Sequence, residues 1–134
     1  MLEASLKPEL INALLVGSGG FLGALARYGL SGLVHRQVPF ATFPYGTLVV
    51  NLLGCLVIGV VAGLAESRQL FGPAFRTFAL IGILSGFTTF STFGYETFSM
   101  LRDGESLRAG ANVGMHVLLG VALVWLGYAL TVSR

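Results

Sequence analysis

Four long uncharged runs set the pattern of this chain. Leu10 to His35 carries a single charge, Arg27, and Gln37 to Ala65 carries none. Arg76 and Glu96 bracket an uncharged stretch of 19 residues, and Ala109 to Ser133 is uncharged throughout. Crossing a hydrocarbon core roughly 30 Å thick takes about 20 mostly apolar residues in a helix. Each run therefore predicts one transmembrane helix, at about 10–33, 45–65, 76–100 and 109–131. Turn-forming residues separate them: Pro39 and Pro44, then Gly72-Pro73, then Asp103-Gly104. Connections this short predict sequence neighbours packed antiparallel in one four-helix domain, 1–134, of all-α integral membrane class.

Composition agrees. Residues are 54% hydrophobic and only 10% charged, against about 25% charged in a soluble domain, and mean hydropathy is +0.82. The 19 glycines suit helices whose backbones approach closely in lipid. A single cysteine, Cys55, allows no intrachain disulfide and no metal site of its own. Net charge is +2 without a basic run, so nucleic-acid binding is not indicated. The opening MLEASLKPEL holds Glu3 and Glu9 and lacks a small-residue cleavage site, so it is expected to be an amphipathic lead-in rather than a signal peptide.

The charge balance across the membrane is close to even. With four spans, both termini and the second connection share one side, which carries Lys7, Arg68, Arg76 and Arg134; the other side carries Arg36, Arg102 and Arg108. A lysine and arginine excess normally sets orientation. Its near absence is either a weak signal in a short protein or the mark of a chain that inserts both ways and pairs with an inverted copy.

Polar residues inside spans mark packing contacts or a pathway. Arg27 either snorkels to the interface or offers a fixed cation to an anion. Asn51, amid apolar neighbours, either bonds a facing helix or presents uncharged N–H donors. The third span, GILSGFTTFSTFGYETF, is crowded with Ser and Thr, a composition that tolerates a break near Ser85 to Thr89. In an antiparallel dimer only mid-span residues meet across the two-fold, where carbonyls freed by such a break would suit a hard cation. The alternative is an unbroken helix with side chains bonded back to the preceding turn. Phe90 and Phe93 share a face, as packing or as ring edges turned to an anion, with the hydroxyls of Ser91 and Thr92 beside them. Glu96 reads as an interfacial carboxylate whose charge would repel an anion. Asn112, His116 and Gly120 fall on one face of the last span as packing positions or as a polar track.

The segments GGFLGALARY, GTLVVNLLG and GFTTFSTF, in that order on four short spans, resemble the Fluc/CrcB family of fluoride channels, from about residue 17 to 131. The resemblance implies a dual-topology antiparallel homodimer with two pores, exporting fluoride passively across the bacterial inner membrane and so relieving toxicity. It implies pore roles for Asn51, Phe90, Phe93, Ser91 and Thr92 and a vestibule role for Arg27. It also implies a structural Na⁺ at the two-fold, held by backbone carbonyls at Ser85 and Thr88. Some family members have glycine where Ser85 stands, although a carbonyl ligand survives that change. The resemblance further implies pore positions for Asn112 and His116 on the last span, with Gly120 continuing their line.

Two rival functions fit less well. A proton-coupled multidrug exporter needs a carboxylate within the membrane; the first span has Arg27 instead, and Glu96 is the one candidate. An accessory subunit without transport would use its polar spans only to hold a partner. Enzymatic chemistry is not indicated, because no nucleophile–base pair, metal cluster or phosphate loop is present.

Overall fold

A computed structural model describes residues 2–68 and 71–132, all helix and connection, with no strand among the described residues. Arg134, counted in the charge balance above, lies outside them. Helix α1 is Leu2–Gln37, α2 is Tyr45–Arg68, and α3 is the short Pro73–Arg76. A π-helical stretch, Thr77–Leu84, continues α3 into α4, Ser85–Phe87. Helix α5 is Phe90–Arg102 and α6 is Ser106–Gly114, followed by a second π-helical stretch, Met115–Leu119, and by α7, Gly120–Val132. Four helical stretches are long and apolar enough to cross a membrane: Lys7–Gln37, Tyr45–Ser67, Pro73–Arg102 and Ser106–Val132.

The first, third and fourth stretches outlast their expected spans by several residues, and the second by two. The 36 residues of α1 extend about 54 Å at 1.5 Å per residue, well beyond the hydrocarbon core. The expected lead-in and first span are thus one helix.

Sequence neighbours are in contact, but they are not the most closely packed pairs. The closest backbone approaches join the first span to the third and the second to the fourth. A Cβ added at Gly19 would lie 2.5 Å from the Phe78 carbonyl oxygen and 2.9 Å from Gly82 Cα, and one at Gly86 would lie 2.5 Å from the Gly20 carbonyl oxygen. A Cβ at Gly127 would lie 2.5 Å from the Leu56 carbonyl oxygen and 2.8 Å from Val60 N. Residue numbers rise together along both contacts, so both pairs run parallel. Lipid is as apolar as leucine and does not drive helices together, so close van der Waals contact through small residues decides which pairs form. The core is correspondingly slight, with Leu48, Val50, Leu84, Phe87 and Met100 among its buried members, while Leu14, Phe21, Leu118 and Trp125 face outward.

The third span changes direction locally. Helix α4 ends at Phe87; Thr88 lies at φ −84°, ψ 158° and Thr89 at φ −149°, ψ 116°, both extended, before helix resumes at Phe90.

Candidate functional site: a clasped pair of threonines between two cavities

Two extended residues inside an apolar span leave backbone groups that helix would have satisfied, and unmet groups in hydrocarbon cost several kcal/mol each. Asn51 supplies the partners for Thr89. The Thr89 N–H donates to Asn51 Oδ1 at 2.9 Å, and Asn51 Nδ2 donates to the Thr89 carbonyl at 3.0 Å. The carboxamide thus reads both faces of one residue's backbone, as a neighbouring strand would. Thr89 also caps α5: its hydroxyl donates to Thr92 Oγ1 at 2.9 Å and accepts from Thr92 N at 3.4 Å. Thr88 still bonds backward, its N–H and hydroxyl donating to the Leu84 carbonyl at 3.0 and 3.1 Å. Gly54 makes room opposite, since a Cβ there would collide with the Thr88 methyl.

This clasp separates two cavities. One, of about 780 Å³, is lined by Arg27, Ser31, His35 and Arg36 of α1, by Thr47 and Val50 of α2, and by Thr89 and Thr92. Its cationic and hydroxyl lining favours an anion. The other, of about 380 Å³, is lined by Asn51, Cys55, Thr88, Thr89, Phe90, Phe93 and His116, with Leu84 and Ile58 beyond. Thr89 is a wall of both. The Phe90 and Phe93 rings are 5.5 Å apart and tilted by 50°, and Phe93 lies 4.4 Å from the His116 ring. Phe90 is 83% exposed on the single chain.

The expected residues divide into groups. Asn51, Thr92, Phe90, Phe93, His116 and Arg27 all line one cavity or the other. Ser91 is exposed on the outer side of α5, and Ser85 is exposed with its hydroxyl donating to the Leu80 carbonyl at 3.3 Å. Asn112 is fully buried and lines neither cavity; its Nδ2 donates to Thr97 Oγ1 at 2.9 Å. His116 Nδ1 lies 2.9 Å from the Asn112 carbonyl. Gly120 packs against Cys55, whose Sγ would lie 3.3 Å from a Cβ there. The one-face track of Asn112, His116 and Gly120 is therefore divided in the structure, with His116 alone reaching a cavity. The π-helical turn after Gly114 shifts the register that an α-helical spacing assumes.

Glu96 is held from α2, with the Thr47 hydroxyl donating to Oε1 at 2.6 Å. Thr47 and Thr97 carry no candidate role in the sequence, and Thr89 enters there only as the end of the expected break. Thr47 had a legible signal, because it precedes Asn51 by four residues and so shares its helical face. Thr97 likewise follows Phe93 by four.

Residues 14–128 match the family described as CrcB-like protein, Camphor Resistance (CrcB). The chain is also similar to several proteins named fluoride-specific ion channel FluC. One, from Nitratidesulfovibrio vulgaris Miyazaki F, is 48% identical over 84% of this chain and 90% of its own length. Another, from Opitutus terrae, is 46% identical over 90% of this chain and 92% of its own. A third, from Methanosarcina acetivorans and named FluC 1, is 45% identical over 85% and 86%. With four membrane-spanning helices and a match across nearly its whole length, this multi-pass membrane protein belongs to the CrcB family.

Proposed function

We propose that the chain is a fluoride-selective channel that lets fluoride leave the cell passively and so protects it from fluoride toxicity. The observation that carries this is the shared Thr89 wall, clasped by Asn51, between a cationic cavity and an aromatic one. A small, strongly hydrated anion entering from the first cavity meets Arg27, then the Thr92 hydroxyl, then the remaining Nδ2 proton of Asn51 and the edges of Phe90 and Phe93. These contacts are many and individually weak, which admits an ion without trapping it. Ring edges are the positive part of the aromatic quadrupole. The relatives' printed name, fluoride-specific ion channel, supports the choice of anion.

The working unit proposed is an antiparallel homodimer with two pores. Three features support it: the near-even charge balance, the exposure of Phe90, Ser91 and Ser85 on the single chain, and the break within the third span. A second copy would cover that face and leave the Phe90 rings at a pore rather than in lipid. A structural Na⁺ at the two-fold suits the backbone there. The Ser85 carbonyl would meet the Thr89 N–H in a continuous helix, and that N–H is turned to Asn51 instead. Together with the carbonyl of extended Thr88 it is an oxygen donor of the type hard cations select. When bound, the ion supplies positive charge that offsets converging carbonyl dipoles and ties the two copies together.

Fluoride efflux from liposomes holding the purified protein, read with a fluoride electrode and with chloride in parallel, tests this reading. Rapid fluoride release with negligible chloride release is the expected outcome. Folded protein that releases no fluoride overturns it.

A further inference from the structure

The aromatic cavity holds two side chains whose chemistry the passage of an anion does not use, Cys55 of α2 and His116 of the fourth span. His116 Nδ1 lies 2.9 Å from the Asn112 carbonyl. A carbonyl only accepts, so Nδ1 carries the ring proton and Nε2 is left with a free lone pair. Nε2 is also buried and has no hydrogen-bond partner among the described residues. A lone pair is the wrong polarity for fluoride. It is the right one for a metal ion, and an imidazole that binds metal typically donates its other N–H to a backbone carbonyl in this way.

Cys55 brings a second ligand to the same place. It is the chain's single cysteine and forms no disulfide. A Cβ at Gly120, the residue immediately after the π-helical turn that carries His116, would lie 3.3 Å from Cys55 Sγ. The thiol therefore meets the fourth span within one turn of the imidazole. Single π-helical turns of this kind often mark functional sites. Thiolate and imidazole together suit Zn²⁺ and its heavier relative Cd²⁺, with metal–sulfur and metal–nitrogen bonds of about 2.3 and 2.1 Å for zinc. The surroundings permit such an ion. No lysine or arginine lines this cavity, in contrast to the neighbouring one with Arg27 and Arg36, and its volume of about 380 Å³ has room for water on the open coordination positions.

Resting on the channel reading above, we propose that Cys55 and His116 form an inhibitory site for a thiolate-seeking divalent cation, bridging α2 and the fourth span across the aromatic cavity. Binding replaces the Sγ–H bond of Cys55 by a sulfur–metal bond, and the proton leaves to solvent. His116 Nε2 gives its lone pair without losing a proton, and water fills the remaining positions. The bound ion blocks conduction in two ways. It fixes the His116 ring, which lies 4.4 Å from the ring of Phe93. It also keeps a net positive charge and exchangeable water beside the pathway, so an arriving fluoride is captured where it should only pass.

The test uses Cd²⁺ alone as the probe, on wild type, Cys55→Ser and His116→Gln, each compared with itself with and without the ion. In the liposome assay, an ion present at about ten times its dissociation constant leaves roughly one site in ten empty, so wild-type fluoride flux is expected to fall about tenfold and to return when a chelator is added. Cys55→Ser is expected to be insensitive to the ion. A direct readout comes from the ultraviolet sulfur-to-cadmium charge-transfer band of the purified protein. It is expected in wild type, absent in Cys55→Ser, and shifted in His116→Gln to concentrations at least about tenfold higher, the least that a lost supporting contact costs a metal site. Wild type alone gives one more measurement, since Cd²⁺ is expected to shield its single thiol from maleimide labelling. Absence of the band, unshielded labelling, or a His116→Gln titration that matches wild type overturns the site. A band with undiminished flux overturns the inhibition. If wild type releases no fluoride even without the ion, the channel reading fails, and the band and the labelling alone decide whether Cys55 and His116 hold the metal.

Discussion

Two of the three asparagines inside the membrane spans of this protein, Asn51 and Asn112, are used in opposite ways. Asn51 spends both ends of its carboxamide on Thr89, accepting at 2.9 Å and donating at 3.0 Å. Asn112 is completely buried, donates once to Thr97, and leaves Oδ1 without a partner. The first has an irregular backbone to satisfy. The second bridges two helices, α5 and α6, and is answered there by a side chain. The contrast shows that a polar group in a span matters most where it substitutes for a missing main-chain bond.

Removing the clasp is the strongest way to test that contrast. Asn51→Ala leaves the Thr89 N–H and carbonyl unmet within the span, a penalty of several kcal/mol that the break can escape only by moving. Fluoride flux is expected to fall by at least about a hundredfold, the factor matching roughly 3 kcal/mol. Asn51→Asp is expected to fail as well, since a carboxylate accepts from the Thr89 N–H but cannot donate to its carbonyl. Liposome efflux measured beside gel filtration of the purified variants distinguishes lost conduction from lost folding. Wild-type flux in Asn51→Ala would put the two asparagines on the same footing.

The aromatic pair comes next. Phe93→Ile removes the ring between Phe90 and His116 while keeping an apolar side chain of moderate size. Packing loss alone costs up to a few kcal/mol of stability, whereas loss of a positive ring edge at a pore removes flux from protein that still folds. A drop of about tenfold or more in flux with an intact gel-filtration profile is expected, on the scale of an aromatic contact worth roughly 1.5 kcal/mol. Full flux would confine Phe93 to packing.

Much of this was legible in the residues. Uncharged length alone marked the four spans, and each helical stretch covers its expected span. Asn51, Phe90 and Phe93 stood out because polar or paired aromatic side chains are conspicuous in apolar surroundings. Helix pairing was harder to read. Glycines occur along every span, and which of them meet depends on three-dimensional register; Gly19 against Gly82 and Gly59 against Gly127 become contacts only once the helices are docked. The fourth-span face is divided for a related reason. A spacing of four implies one face only in an α-helix, and the π-helical turn at Met115–Leu119 breaks that rule immediately beside His116. Thr89, one of six Ser and Thr residues from Ser85 to Thr97, is marked in the sequence only as the end of the expected break, because its importance lies in its backbone rather than its side chain.

The smallest expected effect belongs to Asn112, and it carries the contrast to its end. Asn112→Leu deletes the bond to Thr97 together with the unpartnered Oδ1. Interhelical side-chain hydrogen bonds in membranes average only about 0.6 kcal/mol, and removing a buried acceptor that lacks a donor returns part of that. Thr97 loses little, because its hydroxyl keeps its bond to the Phe93 carbonyl. Stability in denaturant titration of the detergent-solubilised protein is expected to stay within about 1 kcal/mol of wild type, and fluoride flux within about twofold. A leucine has no polar atom to offer an ion, so a severe loss of flux at unchanged stability would place Asn112 at the pathway after all. Equal flux would leave Asn51, of these two, as the asparagine on which conduction depends.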